Sequence, residues 1–178
     1  KSLNLINRHR AALEKLIIAD DVARGDLVSH VYDVTYGIVK NDVDTLVLLD
    51  DSIVRGTTLR DSILQIVSRL KPKKIIIVSS APQIRYPDCY GIDMSKMKEF
   101  AAFRALVSLL EDTGQEHLLE EAYKDCARQM DENPEEWTNP VQQLYETFSY
   151  EEVSARIAKI LTPSNIKIPV EIIYQTLD

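Results

Sequence analysis

Two short apolar runs, separated by an amphipathic stretch, mark the first half of the chain. LVLL occupies residues 46–49 and IIIV occupies residues 75–78. Short continuous runs of this kind are typical of strands that are covered on both faces of a parallel sheet. The apolar residues between the runs recur at helical spacing, at Leu59, Ile63, Ile66, Val67 and Leu70. Pro72 ends this predicted helix, so the pattern predicts a right-handed βαβ unit.

The segment before the first run has a weaker pattern. Apolar residues at helical spacing predict a helix from Asn4 to about Ala19. Residues 20–30 mix charges with a glycine and show no period, which is typical of a mobile surface loop. The stretch VYDVTYGIVK at 31–40 is rich in valine and tyrosine and precedes a polar NDVD, which favours a strand followed by a turn.

The second half of the chain is predicted to be mainly helical. Four helices are expected, at 95–113, 115–130, 139–148 and 149–161. The last has a capping box, with Ser149 as the N-cap and Glu152 three residues later. The final segment IKIPVEIIYQTL is predicted to be a strand at a sheet edge, because Pro169 interrupts it.

Two packing expectations concern these helices. An apolar stripe on the first of them predicts core packing, with a subunit interface as the alternative; it consists of Phe100, Phe103, Leu106, Val107 and Leu110. Trp137 is expected to pack against the C-terminal helices.

Composition excludes several classes of protein. With 178 residues, 45% hydrophobic and 28% charged, the chain is typical of a globular protein. The apolar runs are far shorter than the roughly 20 residues of a membrane helix, and no signal peptide is recognisable, so we expect a cytoplasmic protein without a membrane partner. Cys89 and Cys126 predict free thiols. A net charge of −7 argues against nucleic acid and favours a small-molecule partner.

The segment DDSIVRGTT at 50–58 is the strongest candidate for chemistry. An acidic pair after four apolar residues also occurs in the Walker B strand of nucleotide hydrolases, but no glycine here precedes a lysine, so the phosphate loop of that class is not found in this chain. The magnesium site of phospho-receiver domains gathers its carboxylates from separate strands and gives the RGTT sequence no role. We therefore interpret the 50–58 segment as one binding segment whose two ends contact different parts of the same ligand.

Each end suits a different part of a sugar phosphate. Asp50 and Asp51 follow the strand as carboxylates that accept hydrogen bonds from a vicinal diol or hold the water shell of Mg²⁺. Gly56, Thr57 and Thr58 open a helix, whose free N–H groups and dipole favour an anion. Ribose with a 5-phosphate satisfies both ends, and the predicted position at the carboxyl end of a parallel strand is where open α/β sheets bind ligands.

LVLLDDSIVRGTT closely resembles the ribose-phosphate signature of type I phosphoribosyltransferases. Together with SSAPQIRYPDCYGIDM it is similar to the glutamine phosphoribosyl pyrophosphate amidotransferases of purine synthesis, over residues 44–94. The resemblance implies an α/β fold, a partial type I phosphoribosyltransferase-like parallel sheet with flanking helices, followed by a mostly helical C-terminal region. It implies Mg²⁺ and ribose contacts for Asp50 and Asp51. The 5-phosphate contacts that it implies come from Ser52, Arg55, Gly56, Thr57 and Thr58.

The resemblance also carries expectations about the surroundings of the site. Residues 20–30 would form a flexible loop over the substrate, with Arg24 and His30 as candidates for pyrophosphate contacts. Arg85, Tyr86 and Asp93 lie in a loop expected to meet inhibitory purine nucleotides or to be purely structural. An iron–sulfur cluster is not expected, because Pro87 is followed by Asp88 rather than by cysteine.

Members of this family release ammonia from glutamine with an N-terminal cysteine and use it to displace pyrophosphate from phosphoribosyl pyrophosphate. This chain begins at Lys1 and has no such cysteine, so we expect an inactive truncated piece of a larger, homo-oligomeric enzyme. Residues 1–112 are predicted to be the C-terminal part of the phosphoribosyltransferase domain, and residues 113–178 a helical extension ending in a strand. The alternatives are a non-catalytic regulator that senses phosphoribosyl pyrophosphate and a phosphoribosyltransferase acting on a free base.

Overall fold

The computed structural model describes residues 6–7, 33–34, 39–88 and 94–176. Within these ranges the strands form two sheets, a short antiparallel pair and a parallel sheet of three strands. The pair consists of β1 (Ile6–Asn7) and β2 (Asp33–Val34). The parallel sheet has the order β3 (Thr45–Asp50), β4 (Lys74–Ser79) and β5 (Val170–Tyr174). Together with the helices that flank the parallel sheet, this confirms the predicted α/β class.

In the described ranges, five helical elements pack with the parallel sheet or with one another, and two 3₁₀ helices, Met97–Glu99 and Pro134–Glu136, lie in connecting segments. The first, α1, combines a π-helical turn, Leu59–Ile63, with the α-helical Leu64–Ser68. The others are α2 (Ala101–Thr113), α3 (His117–Gln129), α4 (Pro140–Glu146) and α5 (Tyr150–Leu161). The four helices predicted for the second half of the chain are confirmed, and no helix in the described ranges is long and apolar enough to span a membrane.

The predictions for the first 44 residues are tested at few positions. The helix predicted from Asn4 is wrong at Ile6–Asn7, which pair as a strand with Asp33–Val34. Strand pairing replaces helix there because the partner strand comes from a distant part of the chain, which local periodicity does not reveal. Asp33–Val34 lie within the predicted strand at 31–40. The predicted 20–30 loop lies outside the described residues.

The core lies on one face of the parallel sheet. Leu46, Ile75 and Ile172 are buried on this face, together with apolar residues of α1, α2 and α5. On the opposite face Val47 is 50% exposed and Leu49 is 83% exposed. The prediction that the first apolar run is covered on both faces is therefore correct for one face only.

The region from residue 113 onward shares this core. β5 pairs in parallel with β4, and α5 packs against both α2 and β5. The predicted edge strand is confirmed, and it begins at Val170, directly after Pro169. The division of the chain at residue 112 stays a prediction.

The apolar stripe on α2 packs as expected in the core, because Phe100, Leu106 and Leu110 are fully buried. The prediction for Trp137 is wrong, since its side chain is 53% exposed. Trp137 follows a short 3₁₀ helix, Pro134–Glu136, in a segment that is exposed from residue 131 to residue 139.

The capping box of α5 gives a stability prediction. The Ser149 hydroxyl accepts a hydrogen bond from the Glu152 N–H at 3.2 Å, and the Glu152 carboxylate accepts one from the Ser149 N–H at 2.8 Å. We expect Ser149→Ala to lower the free energy of unfolding by about 1 kcal/mol in urea denaturation at neutral pH. Glu151→Gln, one position before Glu152, serves as the control outside the box.

The same pair predicts a pH dependence. Hydrogen bonds from the Ser149 N–H, and then from its hydroxyl, hold the pKa of Glu152 below its ordinary value. A lowered pKa in the folded state means that this stabilisation is complete above the ordinary glutamate pKa of about 4.3 and is lost as the pH falls through the folded-state pKa. The difference between wild type and Ser149→Ala should narrow in acid; a constant difference would contradict the role of the carboxylate.

Candidate functional site

The 50–58 segment begins at the carboxyl end of the sheet, as predicted. Asp50 is the last residue of β3, and Asp51 lies exposed directly after it. The end of β4 holds this backbone in place. The Ser80 N–H donates to the Asp50 carbonyl oxygen at 2.9 Å, and the Ser80 hydroxyl donates to the Asp51 carbonyl oxygen at 3.1 Å. Both aspartates are therefore fixed at the edge where ligands of parallel sheets bind.

Local hydrogen bonds orient the two carboxylates. Asp50 Oδ1 accepts the Asp51 N–H at 3.0 Å, and Asp51 Oδ1 accepts the Ser52 N–H at 2.8 Å. Within the described part of the chain, the second oxygen of Asp51 has no hydrogen-bond partner. An exposed carboxylate with one open oxygen is able to accept a sugar hydroxyl or a metal-bound water.

Two contacts anchor the middle of the segment to the core. Ile53 is buried, and the Val54 carbonyl oxygen accepts the Ala101 N–H, at the start of α2, at 2.7 Å. The loop between the carboxylates and α1 is consequently a defined bend.

Gly56 has a structural role that the sequence did not reveal. Its φ is +71°, and a Cβ at this position would lie 2.5 Å from a methyl carbon of Leu161. Leu161 is the last residue of α5 and is almost completely buried. Glycine is thus needed for both the left-handed backbone and the close packing of α5. The contact links the candidate site to the C-terminal region of the chain.

The helix after Gly56 has unbonded donors at its start. The first hydrogen bond of its backbone runs from the Arg60 N–H to the Gly56 carbonyl oxygen at 2.9 Å. The N–H groups of Thr57 and Thr58 precede this bond, so they belong to the donors that a helix N-terminus leaves unsatisfied. Among the described residues, the Thr58 side chain makes no capping hydrogen bond. These groups are suited to an anion.

The Arg55 side chain has a partner within the protein that the sequence did not predict. Its guanidinium forms a 2.9 Å ion pair with Glu99, and the side chain is only 17% exposed. The cation therefore has a carboxylate partner within the protein. Sequence pattern alone gave no sign of this pair, because Glu99 lies 44 residues further along the chain.

A second polar cluster, missed by the sequence analysis, lies in the loop after β4. The buried Gln83 side chain donates to the Tyr150 carbonyl oxygen at 2.9 Å and to the Ser154 hydroxyl at 2.8 Å. Its amide oxygen accepts the Arg85 Nε–H at 3.0 Å. The Arg85 guanidinium lies 4.6 Å from the ring centroid of Tyr145 and 5.2 Å from that of Tyr150. These cation–π contacts hold Arg85 against α4 and α5.

Tyr174 completes the carboxyl edge of the sheet. The strand register places Asp50 beside Ser79 and Ser79 beside Tyr174. The Tyr174 hydroxyl is buried and has no hydrogen-bond partner among the described residues. Burial raises the pKa of Tyr174 well above its ordinary value, and the neighbouring Tyr150 and Asp50 raise it further. This phenol therefore remains a neutral donor close to Asp50.

The remaining predicted contacts are described only in part. Arg24, His30 and Asp93 lie outside the described residues, while Tyr86 lies against Tyr145 with ring centroids 6.0 Å apart. No group of three or more histidine, cysteine or acidic side chains in the described ranges forms a metal cluster. The two carboxylates at 50 and 51 suit a Mg²⁺ ion that keeps its waters and shares substrate phosphates.

Taken together, the geometry defines a class of site: a strand–loop–helix bend at the carboxyl end of a parallel sheet, with two carboxylates at one end and free helix N–H groups at the other. Part of the chain is similar in sequence to proteins named amidophosphoribosyltransferase. It is 48% identical over 58 residues to the amidophosphoribosyltransferase of Pasteurella multocida and 46% identical over 57 residues to that of Escherichia coli.

The extent of this similarity is limited. The matched segments cover 33% and 32% of this chain and 11% of each relative. The amidophosphoribosyltransferase of Saccharomyces cerevisiae is 35% identical over 81 residues, which are 45% of this chain and 16% of the yeast protein. No protein-family profile matches the chain. The chain thus spans a small part of the relatives' length.

Proposed function

We propose that the 50–58 segment binds the ribose 5-phosphate part of phosphoribosyl pyrophosphate, and that the chain contributes to phosphoribosyl transfer in purine biosynthesis, as part of an amidophosphoribosyltransferase. One observation carries the proposal. A single bend joins the carboxylates at the end of β3 to the unbonded N–H groups of Thr57 and Thr58. The partial similarity to proteins named amidophosphoribosyltransferase supports the same conclusion.

Each end of the bend has a separate task in this proposal. The carboxylates of Asp50 and Asp51 accept hydrogen bonds from the 2- and 3-hydroxyls of the ribose and fix the orientation of the ring. The Thr57 and Thr58 N–H groups, with their hydroxyls, donate to the 5-phosphate. The phosphate is remote from the reacting anomeric carbon, so its binding energy serves to orient the sugar.

The negative charge of the aspartates also has a catalytic consequence. Loss of pyrophosphate leaves positive character on the anomeric carbon and the ring oxygen. Carboxylates held close to the ribose stabilise this charge more strongly than they stabilise the neutral ground state. Asp50 and Asp51 are also the residues that would hold Mg²⁺, which neutralises the departing pyrophosphate when it is bound. The ammonia nucleophile needs no general base from this chain.

Arg55 has a conditional role. Its ion pair with Glu99 lies next to the proposed phosphate position, so a bound phosphate would compete with the Glu99 carboxylate for the guanidinium. We propose three further properties only for a longer protein that contains this chain. They are the release of ammonia from glutamine, inhibition by purine nucleotides and assembly into a homo-oligomer.

Calorimetric titration with ribose 5-phosphate and Mg²⁺ tests this function. We expect binding that Thr57→Ala weakens by about tenfold, because a hydrogen bond to a charged group contributes about 1.5–3 kcal/mol. Thr147→Ala is the matched control, since that hydroxyl donates to the Gln143 carbonyl oxygen at the end of α4. Equal affinities of wild type and Thr57→Ala would contradict the proposed phosphate position.

A further inference from the structure

An exposed apolar stripe runs along the outer side of α3. Tyr123, Cys126, Ala127 and Met130 are all exposed, and their spacing of three, four and seven residues places them on one face of the helix. Tyr123 is 74% exposed and Met130 is 79% exposed. The adjacent face of α3 packs inward, through Leu118, Ala122 and Gln129. α3 therefore has two apolar faces, and one of them has no covering in the described structure.

Trp137 is a further exposed apolar residue, and its backbone lies near the end of α3. The Thr138 hydroxyl lies 3.3 Å from the side-chain oxygen of Gln129, which also accepts the Thr138 N–H. These bonds bring the backbone beside Trp137 back to the last turn of α3. Tyrosine, tryptophan and methionine are enriched in protein interfaces, and tyrosine and tryptophan often dominate the binding energy. We call Tyr123, Cys126, Ala127, Met130 and Trp137 the α3 patch.

The charge around the α3 patch is strongly negative. Residues 111–136 contain ten acidic residues and only two basic ones, a net charge of −8. The whole chain has a net charge of −7, so the other residues together carry +1. Both basic residues are already paired, Lys124 with Glu120 and Arg128 with Asp125 and Glu132. The negative charge of this protein is thus concentrated in the segment that carries the exposed apolar surface.

Among these acidic residues, Glu116, Asp131, Glu135 and Glu136 are exposed and form no ion pair within the described part of the chain. Unneutralised carboxylates around an apolar centre favour a partner with the opposite charge at its rim. They also disfavour binding to an anionic lipid surface, because proteins bind such surfaces through lysine and arginine. A symmetric contact between two copies of the chain is disfavoured as well, because it would bring the two negative rims together.

We propose that the α3 patch is a docking site for a basic amphipathic segment of another protein, whose apolar side chains cover Tyr123, Met130 and Trp137 while its lysines and arginines face the acidic rim. Helix-in-groove and helix-on-surface recognition of this kind uses apolar anchors at spacings of three, four and seven residues. The proposal is independent of the sugar-phosphate site, because none of its residues belongs to the 50–58 segment.

Trp137 provides a direct probe, since it is the single tryptophan of the chain. A synthetic helical peptide of leucine and lysine, with the apolar residues at the helical period and no tryptophan, stands in for the partner. We expect it to bind and to shift the Trp137 emission to shorter wavelength as water leaves the indole. Two matched peptides separate the contributions: one with serine in place of leucine, and one with glutamate in place of lysine. Both should bind at least about tenfold more weakly.

Variants of the chain locate the binding. Tyr123→Ser combined with Met130→Ser should weaken the leucine–lysine peptide by about tenfold or more, whereas Ile173→Ser, an exposed apolar residue on β5, should leave the affinity unchanged. The double variant Glu116→Gln and Asp131→Asn removes two negative charges of the rim and keeps the apolar anchors, so its affinity for the leucine–lysine peptide tests the contribution of the rim. Circular dichroism verifies the fold of each variant.

Three results would overturn the proposal. Equal binding of the serine–lysine peptide would mean charge attraction alone, and unchanged affinity of the Tyr123→Ser and Met130→Ser variant would place binding elsewhere. Sedimentation that shows self-association, abolished by Met130→Ser, would identify a second copy of this chain as the occupant instead.

Discussion

Replacing Gly56 with alanine is expected to destabilise the chain by roughly 3 kcal/mol, because two separate costs add at this position. The left-handed backbone at φ +71° costs a side chain about 1–2 kcal/mol. Placing a methyl group 2.5 Å from the Leu161 methyl carbon forces the buried Leu161 side chain to shift, which costs about 1–3 kcal/mol. Urea denaturation of the purified variant measures the sum.

Gly114 offers a matched control for this prediction. Its φ is +68°, almost the same as that of Gly56, but no atom lies within 4 Å of the position of an added Cβ. Gly114→Ala should therefore show only the backbone cost, about 1–2 kcal/mol. Equal losses for the two variants would contradict the packing argument.

A double-mutant cycle isolates the contact with Leu161. Leu161→Ala alone removes a buried side chain and is expected to cost about 2–5 kcal/mol. In that background Gly56→Ala should cost little more than Gly114→Ala, since the clash is gone. The two losses would then be clearly non-additive, as expected for residues in contact.

The second large effect concerns Asp51. In an active phosphoribosyl-transferring protein that contains this segment, we expect Asp51→Asn to lower turnover by about two to three orders of magnitude. The substitution removes a negative charge that would stabilise the developing positive charge on the ribose, while keeping the size of the side chain. Because Asp51 is exposed, the free energy of unfolding should change by no more than about 0.5 kcal/mol.

Asp42→Asn is the control for this prediction. Asp42 precedes β3, at the end of the sheet opposite to the candidate site, and its φ of 59° is one that asparagine accepts readily. It makes the same chemical change without touching the bend, so turnover should stay at the wild-type level. Steady-state kinetics on both variants decide the matter; unchanged kinetics of Asp51→Asn would exclude a catalytic role for this carboxylate.

The parts of the fold that depend on local pattern were predictable from the sequence. The runs at 46–49 and 75–78 form adjacent parallel strands, the stretch between them is helical, and Ser149 and Glu152 form the capping box. The strand after Pro169 lies at the edge of the described sheet. In each case the residues that determine the element lie within one helical turn or one strand of each other.

The contacts that were not predictable join distant parts of the chain. Gly56 packs against Leu161, Arg55 pairs with Glu99, and Gln83 bonds to α5. Sequence pattern assigned Gly56 and Arg55 to a phosphate cradle, whereas the structure shows that each also holds the bend against a helix. The exposed position of Trp137 was also missed, because residue type alone favours burial of tryptophan and does not show how the chain packs around it.

The central claim is that one bend binds both the diol and the phosphate of a single sugar, and nuclear magnetic resonance tests it most directly. With Mg²⁺ present, ribose 5-phosphate should shift the amide signals of Asp51 and Ser52 and those of Thr57 and Thr58 with one common affinity. Inorganic phosphate should shift only the threonine pair. Identical shift patterns for the two ligands, or shifts confined to residues outside the 50–58 segment, would contradict the account.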